Sequence, residues 1–200
     1  MELLSSLGRM LGFSFAAGIN LYATVAIVGL ASRYHWVDLP QQYRVFDNDW
    51  IIGLALLLYV VEFVADKIPI VDSTWDVIHT FIRIPAGAVL AAATFGDFDK
   101  SVQVIAFLLG GGLALTSHGT KAATRAVINM SPEPVSNIVA STLEDVLAVV
   151  SVVFALFYPV LLFLVVAVGL VISALVLPRI VRFFRRVIGS IRRLFAPATS

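Results

Sequence analysis

Four groups of ionisable residues interrupt runs that are otherwise apolar. Glu62 and Asp66 stand at i and i+4, so both carboxylates share one helix face. Glu144 and Asp145 lie about two turns inside the run 136–157. His118, Lys121 and Arg125, at i, i+3 and i+7, form a basic stripe if the helix over 102–117 continues to Asn129. Asp72, Asp76, His79 and Arg83 precede the run 84–96. A charged side chain inside a membrane costs ~2.5–3.5 kcal/mol on insertion scales and commonly lines an ion or substrate path. Two chemistries fit these groups: carboxylates that bind and release a proton or small cation, or acidic and basic stripes that neutralise each other in ion pairs between helices. In the first, Glu62, Asp66, Glu144 and Asp145 are the ion binders, with Glu144 expected deepest and Glu62 next. Lys67, Arg83, His118, Lys121 and Arg125 then gate them by pairing, or contact an anionic group. Asn20, Asp72, Asp76, His79, Glu133, Asn137 and Ser141 supply the remaining polar atoms.

Other chemistries find less support. There is no cysteine, which removes disulfides, thiolate metal sites and cysteine nucleophiles. His35, His79 and His118 are far apart and form no HExxH pair, so a zinc site is not expected. No GxSxG elbow, P-loop or GxGxxG is present. The expectation is a protein that is not an enzyme and has no cofactor. Gly110, Gly111 and Gly112 read as close helix packing. Ser131, Pro132, Glu133 and Pro134 read as a tight turn, with Ser136 or Asn137 near the cap of the following helix.

The elements that must carry these side chains are membrane helices. Of 200 residues, 60% are hydrophobic and 14% charged, and a mean hydropathy of +0.95 is too high for a soluble domain of this size. Apolar runs predict about six spans, near 11–31, 50–66, 84–96, 102–117, 136–157 and 159–177, as one bundle over 1–178. The runs 84–96 and 102–117 are short, which predicts either half-helices or continuation into the neighbouring charged segments. An offset of 100 aligns Gly12, Ala23, Thr24 and Ala26 with Gly112, Ala123, Thr124 and Ala126, which is compatible with two inverted three-helix repeats. Residues 1–10 do not read as a removable signal peptide.

Residues 179–200 read as a cytoplasmic tail. Six arginines among Phe, Ile, Val and Leu make a basic amphipathic helix suited to an anionic leaflet rather than to nucleic acid. The positive-inside rule then places both termini in the cytoplasm, with Arg9, Lys67, Arg83, Lys121, Arg125 and the tail inside, and Arg33, Arg44 and Lys100 outside. A homo-oligomer is compatible with this arrangement, and the partners expected are lipid and a small solute or ion.

The chain resembles a family of small bacterial integral membrane proteins known as domain of unknown function four-one-two-six. The resemblance is carried by Gly18 to Thr24, Glu62 to Pro69, Trp75 and Asp76 with His79 to Arg83, His118 with Lys121 and Arg125, Ser131 to Asn137, and Glu144 with Asp145. It implies a multi-pass inner-membrane protein and no particular activity. Glu62 to Lys67 is also similar to the acidic-Asp-Lys signature of cation and proton exchangers, with one more residue between the two acids. Thr80 to Gly87 is similar to a segment of proteins that move polyprenyl-phosphate lipids. A small secondary transporter or exchanger is therefore the leading expectation; phosphorylated-lipid handling and a non-transporting scaffold or assembly factor are the alternatives.

Overall fold

The computed structural model describes residues 1–130, 135–168 and 171. Its regular elements are α1 (Glu2–Ile19), α2 (Leu21–Arg33), a 3-10 turn over Gln41–Phe46, α3 (Asp49–Ala65), α4 (Pro69–Thr94), α5 (Lys100–Ile128) and α6 (Val135–Phe157). A shorter apolar helix, α7, covers Pro159–Val168. Thr74–Thr94 of α4, all of α5 and all of α6 are long and apolar enough to cross a membrane. The chain is all-helical among the described residues and has the helices of a membrane protein. Leu54, Leu57, Val60 and Val64 on α3, Phe81 on α4 and Leu108 on α5 are exposed, as suits side chains facing lipid.

Local sequence sets the helix ends. The Asn48 side chain accepts from Trp50 N and Ile51 N, capping α3. Asp99 caps α5; the Ser101 hydroxyl and then the Ser101 amide hold its carboxyl below the usual carboxylate range. Pro69 begins α4, whereas Pro85 lies inside it without ending it. The short run 84–96 is thus the second half of one helix that continues back through Trp75 and Asp76. The run 102–117 likewise continues to Ile128.

The largest departure from the expected spans is at Asn20. Its extended backbone, φ −142° and ψ 96°, splits the run 11–31 into α1 and α2. Their far ends then lie at one end of the bundle. Ser5, Ser6 and Arg9 of α1 line a cavity of about 300 Å³ with Asp38, Thr94 and Asp97, and Arg33 at the end of α2 pairs with Asp47 and Asp49. The chain therefore turns back at Asn20. Arg9 shares an end with Asp38 and Asp97, where one span over 11–31 would have put them on opposite sides. The corresponding part of α5 runs unbroken past Thr120, so the offset of 100 pairs a broken segment with a continuous one.

α1 packs against α4, α5 and α6 through small residues. A Cβ on Gly8 would meet the Pro159 carbonyl at 1.8 Å, and one on Gly18 would meet Ser117 Oγ at 1.9 Å and the Ala114 carbonyl at 2.4 Å. Such approaches let backbones touch where apolar burial alone cannot drive association. Phe13, Ala16, Ala17, Leu90, Ala148 and Val152 form the core beside these contacts. Residues 164–168 and 171 are helical. The basic tail over 179–200 and Glu133 lie outside the described residues, as do 169, 170 and 172–177 of the run 159–177.

Candidate functional site

The end of the bundle where α1 turns into α2 gathers nearly all the charges singled out in the sequence. α4 presents Asp72, Asp76, His79, Thr80 and Arg83 at spacings of three and four, which is one helix face. α5 answers with His118, Lys121 and Arg125. α3 carries Glu62 in its last turn and is followed by Asp66, and α6 supplies Asn137, Glu144 and Asp145. Arg83 and Glu62 are completely buried.

Arg83 organises one half. Its Nη2 donates to Glu62 Oε1 at 2.5 Å, and its Nη1 donates to Asp76 Oδ1 at 3.2 Å and His118 Nδ1 at 3.0 Å. A guanidinium can only donate, so His118 Nδ1 is unprotonated and Nε2 carries the hydrogen. That N–H points at the Asp76 carbonyl (3.1 Å) and Thr80 Oγ1 (2.8 Å), while Thr80 donates its own hydrogen to the same carbonyl. His79 takes the other tautomer. Its Nδ1 lies 2.8 Å from the Trp75 carbonyl and must donate; its Nε2 accepts from the Tyr22 hydroxyl at 2.8 Å. The His79 ring also stacks on Trp75 at 4.4 Å.

Lys121 and Arg125 organise the other half. Lys121 Nζ donates to Asp66 Oδ2 at 2.7 Å and to the Ile19 carbonyl at 3.3 Å, and lies within 4.0 Å of Glu62, Asp76 and Glu144. Arg125 donates to Glu144 Oε2 at 3.0 Å, to both oxygens of Asn137 and to the Asp66 carbonyl at 3.2 Å. Asn137 Nδ2 donates to that carbonyl as well. Two orphan helix-terminal carbonyls, Ile19 of α1 and Asp66 after α3, are thus satisfied by cationic side chains, where the helix dipole favours them.

Asn20 holds the turn between α1 and α2. Its Oδ1 accepts from Ala23 N at 2.9 Å, capping α2, and its Nδ2 donates to Asp145 Oδ1 at 2.8 Å. Replacing Asn20 by alanine removes the cap and strands a buried carboxylate, for an expected loss of about 2–3 kcal/mol. Unfolding of purified protein in mixed micelles measures this; an unchanged midpoint would mean that Asn20 does not hold the turn.

The site is acid-rich. Glu62, Asp66, Asp72, Asp76, Glu144 and Asp145 face only Arg83, Lys121 and Arg125 as full cations in these contacts, a formal excess of three negative charges. Five buried oxygens accept no hydrogen bond among the described residues: Glu62 Oε2, Asp66 Oδ1, Asp72 Oδ1, Asp76 Oδ2 and Asp145 Oδ2. Carboxylate oxygens in that condition can take a proton or a cation.

The sequence model of one family, the domain of unknown function DUF4126, matches residues 7–179. The chain belongs to this family. No curated protein and no solved structure matches it.

Within the DUF4126 fold most of the singled-out residues converge, with two corrections. Lys67 stands apart, half-exposed, with Nζ on the Phe63 carbonyl (2.9 Å) and over the Phe63 ring, because it follows the end of α3 and points back along it. Glu144 is not the deepest acid. It keeps 16% side-chain exposure while Glu62 keeps none, because depth along a helix says nothing about which face is turned inward. Asn137, two residues past the first of α6, has its side chain buried against Arg125 and Asp66. Ser141 is buried but bonds the Ile138 carbonyl of its own helix rather than a charge. For Arg83, His118, Lys121 and Arg125, pairing with acids or other site residues is the arrangement seen. Tyr22, Thr80 and Asn129, which donates to Asp72 at 2.9 Å, complete the network without having been singled out. Thr80 and Asn129 extend the charged faces of α4 and α5 at helical spacing, which was the available signal.

Proposed function

We propose that this DUF4126 protein is a small secondary carrier of a cation or proton, embedded as a multi-pass protein in a bacterial inner membrane. The observation that supports it is the acid excess at the centre of the charged end, with carboxylate oxygens that accept no hydrogen bond among the described residues. Four buried acids satisfied by three cations would make a structural clasp; six with spare oxygens make a place that can gain and lose positive charge. Because α1 and α2 form a returning pair, we place the charged end and the Arg-rich tail toward the cytoplasm and the N-terminus on the opposite face.

The test is flux. Purified protein in vesicles enclosing a pH-sensitive dye is challenged with a proton or alkali-cation gradient; wild type is expected to dissipate it, and Glu62→Gln to fall to the level of empty vesicles while eluting as a folded protein. Failure of wild type with every cation offered would remove the carrier reading. A non-transporting scaffold would then stand, a reading supported by the ion pairs that tie α3, α4, α5 and α6. Phosphorylated-lipid handling is less well supported, since a phosphate would have to displace carboxylates from Arg83, Lys121 and Arg125.

A further inference from the structure

We propose that Lys121 is a tethered stand-in for the cargo, and that an ammonium- or potassium-sized monovalent cation enters the site by displacing its ammonium group into the crevice beside α5. This rests on the carrier reading above. The Lys121 ammonium sits among five oxygens drawn from different elements: Asp66 Oδ2 at 2.7 Å, the Ile19 carbonyl at 3.3 Å, Glu62 Oε1 at 3.8 Å, Asp76 Oδ1 at 3.9 Å and Glu144 Oε2 at 4.0 Å. That is a cation site with a cation already in it. Glu62, Asp66 and Asp76, each more than nine-tenths buried, also carry a second oxygen that accepts no hydrogen bond among the described residues, so the oxygens available to an incoming ion exceed those that Lys121 uses.

Two features single out Lys121 rather than its neighbours. Arg83 and Arg125 are each held by three or more directed hydrogen bonds in a planar fork, whereas Lys121 makes two, on a flexible four-carbon stem. It also has somewhere to go. A crevice of about 220 Å³ between α1, α5 and α6 reaches Lys121 and Glu144 and is walled by Phe15, Ile19, Ser117 and Thr120. Glu144, the partly exposed acid, lies on that wall and can accompany the displaced amine. Exchange of one single positive charge for another leaves the charge of the site unchanged. Asp66 Oδ2 and the Ile19 carbonyl already stand at hydrogen-bond distance from the ammonium, and the three oxygens at 3.8–4.0 Å must draw inward around an ammonium- or potassium-sized ion; Ca²⁺ draws its ligands to ~2.3–2.6 Å and would require all five to move further still.

The test uses wild type first. Acylation of Lys121, followed by peptide mass mapping in potassium chloride against choline chloride at equal ionic strength, is expected to quicken at least threefold with potassium, while exposed Lys100 stays constant. In parallel, Lys121→Met is expected to bind potassium at least tenfold more tightly than wild type, read as a cation-specific rise in unfolding temperature. If gradients are dissipated but Lys121 reactivity ignores the cation, the stand-in role is overturned and the carrier reading survives. The same conclusion follows if Lys121→Met folds and binds no better than wild type. If wild type neither dissipates a gradient nor responds to any cation, both fall together. Should Lys121→Met fail to fold, the wild-type acylation result alone decides.

Discussion

Replacing Arg83 by methionine is expected to destabilise the bundle by about 3–5 kcal/mol, the cost typical of breaking a buried ion pair by removing one partner. Methionine keeps much of the volume, so the loss is electrostatic rather than a cavity. It leaves Glu62 and Asp76 buried without their main counter-charge and takes the donor away from His118 Nδ1. The prediction gains force from its partner. Glu62→Gln added to Arg83→Met should recover part of the loss, because a neutral amide no longer needs the guanidinium, and the two changes should therefore be far from additive. Unfolding in mixed micelles at two salt concentrations measures both. A buried pair is little screened, so the loss should survive added salt. Strictly additive effects would mean that Arg83 and Glu62 do not act as one unit.

Much of this site was legible in the sequence because helical spacing projects directly into space. Residues 72, 76, 79 and 83 share a face once the helix over 84–96 continues back through them, as do 118, 121 and 125 once the helix over 102–117 continues on, and opposite charges on neighbouring helices have few places to go other than toward each other. The turn at Asn20 was not legible. A single Asn in an apolar run carries little weight in a hydropathy window, and the Asp145 carboxylate, the Ile19 carbonyl and Lys121, which make the break tolerable, are brought to it by tertiary structure. The consequence was large, since one missed reversal moves Arg9 to the other end of the bundle. The burial of Glu62 over Glu144 was hidden for a related reason: apolar runs on all sides of a membrane helix conceal which face meets protein and which meets lipid.

The triple glycine on α5 offers the second large effect, and it separates two residues that the sequence cannot tell apart. A Cβ on Gly110 would lie 2.1 Å from Ala91 Cβ, 2.9 Å from Ser14 Oγ and 3.0 Å from the Gly87 carbonyl, whereas a Cβ on Gly112 meets nothing within 4 Å. Gly110 thus sits where α1, α4 and α5 meet, and the Ser14 hydroxyl that donates to the Gly87 carbonyl at 3.0 Å is part of the same crossing. Gly110→Leu must push α4 away from α5 and break that bond, for an expected loss of about 3 kcal/mol, at the upper end of the usual overpacking range. Gly112→Leu should do the reverse. It removes a poor helix former, worth about 1 kcal/mol against alanine in water, and turns an apolar side chain toward lipid. The same unfolding measurement on both variants decides the matter. A large loss at Gly110 with none at Gly112 fixes the rotation of α5 about its axis, and with it the inward direction of His118, Lys121 and Arg125. Equal losses would mean that α5 is turned otherwise, and that the charged face does not point where the ion pairs require.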